Sequence, residues 1–129
     1  MTPVTIECRL PADARRPAPP KLPACEPGRV PRVARWLALA IRLEAQLTDG
    51  TLADAAAVAR ESHVTRARVS QVLNLAFLAP HIQEAILDLP RVAAGRDPVT
   101  LADLQPVALT LDWRKQRRLW RELRESKCF

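Results

Sequence analysis

The stretch Ala55–Asn74 (AAAVARESHVTRARVSQVLN) holds the residue types best able to do chemistry in this chain. Two short helices joined by a turn of three or four residues must cross steeply, which demands particular residues at fixed spacing. Ala59 is small enough for the crossing point. Four residues on, the turn needs a residue that tolerates φ > 0, and His63 belongs to the non-glycine types enriched there. Val64 is expected to plug the core beneath the turn, and Thr65 to cap the next helix. Val69, Val72, Leu73 and Ala76 follow at i, i+3, i+4 and i+7, the spacing of a buried helix face. The set Ala59, His63, Val64, Val69 and Val72 therefore predicts a helix-turn-helix over about 51–75.

Ala67, Ser70, Gln71 and Asn74 point away from that buried stripe, with Arg66 and Arg68 on its flanks. No acidic residue occurs from Ser62 to Gln83. A helix that enters the major groove has phosphates on both sides, so a carboxylate there is repelled. Arg66 has the length and donors for guanine O6/N7, and Gln71 those for adenine N6/N7, while Ala67 suits a thymine methyl. Thr65, Arg68, Ser70 and Asn74 suit phosphate oxygens. The competing reading is a solvated polar face, and the missing acids weigh against it.

Helices must position these residues, and the chain supplies them. Pro31 suits a first helical turn, and Val33, Trp36, Leu37, Ala40, Ile41 and Leu47 form one apolar stripe behind it. Glu44 falls inside that stripe and is expected at a rim or paired with an arginine. Asp49-Gly50 ends the helix. Thr51-Leu-Ala-Asp54 has capping-box spacing and recurs as Thr100-Leu-Ala-Asp103, so both read as helix starts. Helices are expected at about 52–61, 66–77, 80–87, from 101, and 113–125, with a loop over 91–99. Pro106 is expected to kink or end the helix it interrupts. No segment alternates as a strand does, so the expected fold is all-α, a compact bundle of five to six short helices over 31–129. Eight of the twelve prolines fall in the first 31 residues, and residues 1–30 read as a disordered basic arm.

The net charge of +6 is unevenly placed. Residues 113–129 carry seven Lys/Arg against Glu122 and Glu125. Arg114, Lys115 and Arg118 are candidates for non-specific phosphate contacts, while Trp113, Trp120 and Leu123 form a seam expected to anchor that helix on the core. Cys8, Cys25 and Cys128 are odd in number and widely spaced, which fits neither a zinc site nor a disulfide framework. The longest apolar run, Trp36–Ile41, is far short of a membrane span, and no signal peptide is visible, so a cytoplasmic protein is expected. His63 and His81 are the only histidines, and no nucleophile–base pair, metal motif or phosphate loop accompanies them. An enzyme, a cofactor, a metal and a small-molecule substrate are therefore not expected.

The segment HVTRARVSQVLNLAFLAPHIQEAIL (His63–Leu87) resembles the helix-turn-helix region of the ParB and KorB partition proteins. There too a recognition helix ends in a leucine-rich turn, followed by a Leu-x-Pro step, here Leu78-Ala79-Pro80, and an amphipathic helix. That match spans about residues 51–88. More loosely, residues 28–124 resemble small ParB-like proteins that accompany recombinases in bacterial mobile elements. The resemblance implies a duplex-DNA-binding regulator or accessory factor, associated with the nucleoid, whose partners are DNA and a recombinase or a second copy of itself. It does not extend to the nucleotide-binding domain of partition proteins: Gly28-Arg29-Val30-Pro31-Arg32 does not replace their arginine-rich phosphate box. A different class of function, a helical adaptor for a protein partner with the motif serving only as packing, remains the alternative.

Overall fold

The computed structural model of the chain describes residues 2–4 and 27–129. Most of the expected basic arm, with Cys8 and Cys25, lies outside the described residues. The protein is all-α: α1 (Arg32–Thr48), α2 (Ala55–Ser62), α3 (Arg66–Leu73), α4 (Pro80–Leu87), α5 (Leu101–Ala108) and α6 (Trp113–Lys127). A 3-10 turn, Asn74–Phe77, continues α3. None of these helices is long and apolar enough to cross a membrane.

The main core gathers Leu37 of α1, Leu75 of the 3-10 turn, Ile82 and Ile86 of α4 and Leu104 of α5, all fully buried. Each such side chain stabilises by about 1.5–3 kcal/mol relative to exposure, so these crossings set how the helices lie. A second, smaller cluster of Val58, Ala59 and Val69 joins α2 to α3. The α1 stripe serves both. Val33, Leu37 and Ala40 are buried in the main core, and past Ala40 the face turns so that half-buried Leu43 meets the second cluster while Ile41 is exposed. Glu44 sits at the rim as expected, but its partner is the Thr48 hydroxyl, which donates to Oε1 at 3.2 Å.

Several expectations are corrected. Helix α2 begins three residues later than Thr51 implied. The Thr51 N–H donates to Asp49 Oδ1 (2.8 Å) and the Leu52 N–H to Gln46 O (3.1 Å), so the turn consumes that segment. Asp54 is the cap, accepting from the Ala57 N–H at 2.7 Å. The Thr100 motif is a true capping box: the Asp103 N–H donates to Thr100 Oγ1 (3.3 Å) and the Thr100 N–H to Asp103 Oδ2 (2.9 Å). Of the two outcomes expected at Pro106, an ending is excluded, since α5 runs on to Ala108. The carbonyl that Pro106 deprives is that of Ala102, an exposed residue one turn back, where water can replace the lost bond. Trp113 is not a core anchor but 51% exposed, because it is the first residue of α6 and the inward position one turn later belongs to Gln116. Trp120 is buried, as expected, and meets Phe129 edge-on at 5.6 Å.

One side of the bundle is tied by long-range polar contacts. Arg29 and Val92 form an isolated antiparallel bridge, with N–H to O distances of 3.0 and 2.9 Å in the two directions. Gly28 is required beside it, since at φ +113° a Cβ would lie 3.0 Å from the Val92 oxygen. Asp97 then holds the start of α1, accepting from the Arg32 N–H at 2.8 Å and pairing with the Arg29 guanidinium at 2.8 Å.

Candidate nucleic-acid interface

The candidate surface begins at the turn between α2 and α3. His63 has φ 53° and ψ 35°, the left-handed conformation that the spacing demanded. Its N–H closes on Arg60 O at 3.4 Å and the Val64 N–H on Ala59 O at 3.1 Å, the paired bonds of a Schellman ending. Val64 thus contributes its backbone and not a core side chain. It is 45% exposed, because Val58, Ala59, Val69, Leu43 and Leu52 already fill the space beneath the turn. Thr65 caps α3 as expected, accepting from the Arg68 N–H at 3.2 Å.

From that cap α3 presents one continuous exposed face. Arg66, Ala67, Ser70 and Gln71 are all exposed, with Thr65 and Arg68 beside them, while Val69 and Val72 are buried on the opposite side. The expected helix to Phe77 is shorter, since α3 gives way at Asn74 to the 3-10 turn. Asn74 is therefore half-buried at the junction, off the exposed face. The tightening is held by side chains. Gln83 Nε2 donates to Ala76 O (3.0 Å) and Leu78 O (2.9 Å), and buried Leu75 pulls the turn inward. Gln105 of α5 donates to Gln71 O at 2.9 Å, bracing the end of α3 without using the Gln71 side chain.

Arg68 is placed differently from the other α3 residues. Its guanidinium lies 5.1 Å from the centre of the Trp36 ring, a cation–π stack onto α1, and Nη1 reaches Gln71 Oε1 at 3.5 Å. It borders a cavity of about 730 Å³ whose rim also carries Arg29, Arg32, Arg96 and Lys127. An adjoining hollow of about 450 Å³ is lined by Arg32, Arg35, Trp36, Leu39 and Arg68. The sequence reading missed this cluster because its members come from four separate segments. The signal that was present is Arg32-x-x-Arg35-Trp36, two arginines and an aromatic on one helical face.

The α6 candidates stand apart from α3. Arg114, Lys115 and Arg118 are exposed on the first half of α6, which packs on α5 and the main core. Arg118 has Glu122 as a loose neighbour at 3.9 Å. The residue of α6 that sequence reading missed is Gln116, fully buried, which ties the helix to the Leu78-Ala79-Pro80 step. At the other end of α6, Lys127 pairs with Asp103 at 3.5 Å. Burial raises the Asp103 pKa, but the Thr100 N–H, the Thr100 hydroxyl and Lys127 outweigh it and hold the carboxyl below the usual range. Among the described residues no trio of His, Cys, Asp or Glu is gathered as a metal would need. Comparison with protein-family models, curated proteins and solved structures finds no match.

Proposed function

We propose that the chain binds duplex DNA by a sequence-reading helix-turn-helix and serves as a transcriptional regulator or an accessory factor of a mobile element. One observation carries this reading: an exposed, acid-free face of Arg66, Ala67, Ser70 and Gln71, held on α3 behind a left-handed His63 turn. Arg66 and Gln71 read base edges, Ala67 meets a methyl group, and Thr65, Arg68 and Ser70 hold phosphates. Because one recognition helix reads few base pairs, a second copy or a DNA-bound recombinase completes the site. Arg114, Lys115 and Arg118 add sequence-independent attraction on a separate surface.

The test is selection from random duplexes, followed by a salt titration on the selected site. The log of the binding constant should fall linearly with the log of salt concentration. Arg66→Ala and Gln71→Ala should each cost about 1–3 kcal/mol and relax the preference at one base position. A wild-type chain with no measurable affinity at ~50 mM salt would sink the proposal.

The adaptor reading keeps one observation of its own. Phe77, Leu109, Leu111 and Trp113 are all more than half exposed. Gln116 draws the Phe77 and Thr110 carbonyls together, so this group belongs to one end of the molecule. Leu111→Gln with Trp113→Gln, which leave the charge unchanged, should abolish any such association while leaving duplex affinity intact.

A further inference from the structure

We propose that the two adjoining hollows around Trp36 form a phosphodiester cradle, which receives the DNA strand flanking the groove that α3 enters; this rests on the DNA-binding reading above. The reasoning starts from charge. Arg29, Arg32, Arg35, Arg68, Arg96 and Lys127 border the pair of hollows, and among the described residues the one carboxylate in the lining is Asp97. Asp97 is already engaged, by the Arg32 N–H and the Arg29 guanidinium, and Lys127 has Asp103. The side chains of Arg32, Arg35, Arg68 and Arg96 have no carboxylate partner among the described residues. Unpaired cations that share one lining repel one another, the more so at low salt. The counter-charge the arrangement lacks is an anion.

Shape identifies which anion. The hollows share Arg32, Trp36 and Arg68, so they adjoin over the first turns of α1 and form a paired site, not a single one. A volume near 730 Å³ is far larger than one phosphate fills. A polymer that carries several phosphates matches paired hollows lined by several cations. Arg68 fixes the register. It belongs to α3, touches Gln71 on the base-reading side, and is stacked on Trp36 on the other. A duplex that takes α3 into a major groove about 12 Å wide has a phosphate strand on each side of that helix. The strand on the Arg68 side therefore meets Trp36, Arg32 and Arg35. The Trp36 stack holds the Arg68 guanidinium in place before DNA arrives, which lowers the ordering cost of the contact.

The experiment compares the full chain with Arg32→Ala/Arg35→Ala and Arg66→Ala/Gln71→Ala, on the selected duplex and on a random one. Arg42→Ala, at an exposed position further along α1, is the charge control. The cradle variant should weaken binding to both duplexes by the same factor, with the log–log salt slope shallower by roughly 2, at ~0.9 per phosphate. Ethylation interference should disappear at phosphates on one flank only, and Arg42→Ala should leave that flank unchanged. The base-reading variant should instead erase the difference between the two duplexes. A cradle variant with wild-type affinity, slope and interference pattern would overturn the cradle and leave the DNA reading standing. Absence of duplex binding by the wild type would overturn both. Displacement of the duplex by pyrophosphate at matched ionic strength would also overturn the cradle, in favour of a free phosphate compound.

Discussion

The side-chain oxygen of Gln116 accepts the Ala79 N–H at 2.7 Å, joining α6 to the step between the 3-10 turn and α4. The same amide donates to Phe77 O at 3.2 Å and Thr110 O at 2.6 Å. One buried glutamine thus satisfies three backbone groups, of which the Ala79 N–H is enclosed and the two carbonyls are part-buried. Helix α3 runs directly into this turn, so Gln116 braces its end through a bond to Ala79, 37 residues away in sequence.

Gln116→Leu keeps the volume and removes all three bonds. Leaving the buried Ala79 N–H unpaired costs about 1–3 kcal/mol, and the two part-buried carbonyls add less because water can reach them, so a loss of roughly 2 kcal/mol is expected. Urea unfolding followed by circular dichroism measures it. A loss below ~1 kcal/mol would mean that water replaces the amide and that Gln116 is not the brace.

The His63 turn makes a prediction about backbone strain. His63→Gly should be neutral or stabilising by up to about 1 kcal/mol, because glycine takes a φ of 53° without a Cβ penalty. His63→Val should cost more than ~1 kcal/mol, since a β-branched residue is strained there. Matched thermal melts of the two variants decide, and equal midpoints would refute the strain.

Asp103 links stability to pH. Its folded pKa is depressed, so its stabilising contribution is fully present above the unfolded value of about 3.9 and is lost as pH falls through the folded value. At neutral pH, Asp103→Ala should cost about 0.5–2 kcal/mol through loss of the capping box, or roughly 4–8 °C in midpoint for each kcal/mol. The gap between variant and wild type should narrow only below about pH 4. A gap unchanged down to pH 2 would show that the carboxylate charge does not matter to the cap.

Asp97 should separate stability from affinity. It holds the first N–H of α1 and the Arg29 guanidinium, so Asp97→Ala should destabilise by about 1–2 kcal/mol. It is also the acid in the lining of the basic cavity, and its removal should strengthen binding to a random duplex severalfold at low salt. Fluorescence anisotropy beside a thermal melt reads both effects. Weaker DNA binding in a variant that still folds would contradict the charge argument.

Much of the architecture follows from local rules. The positions of α1, α3 and α4 are legible from apolar spacing and from Pro31, Thr65 and Pro80, because capping and burial act within a few residues. The left-handed His63 is legible for the same reason, being forced by the crossing of two helices only a few residues apart. The start of α2 and the passage of α5 through Pro106 were not. Both depend on which of several available groups accepts a hydrogen bond, a small difference between near-equal local options.

The sequence alone determined an all-α chain and one helix face that is polar, basic at its edges and empty of acids, since periodicity and charge are written along a single segment. It left Val64 and Trp113 misplaced, for inward direction at a helix end depends on what neighbouring helices have already filled. Only the tertiary structure brought Arg32 and Arg35 of α1, Arg68 of α3, Arg96 of the loop and Lys127 of α6 around Trp36. The physical reason is that charges far apart in sequence repel weakly in the unfolded chain, and folding for hydrophobic burial puts them together regardless.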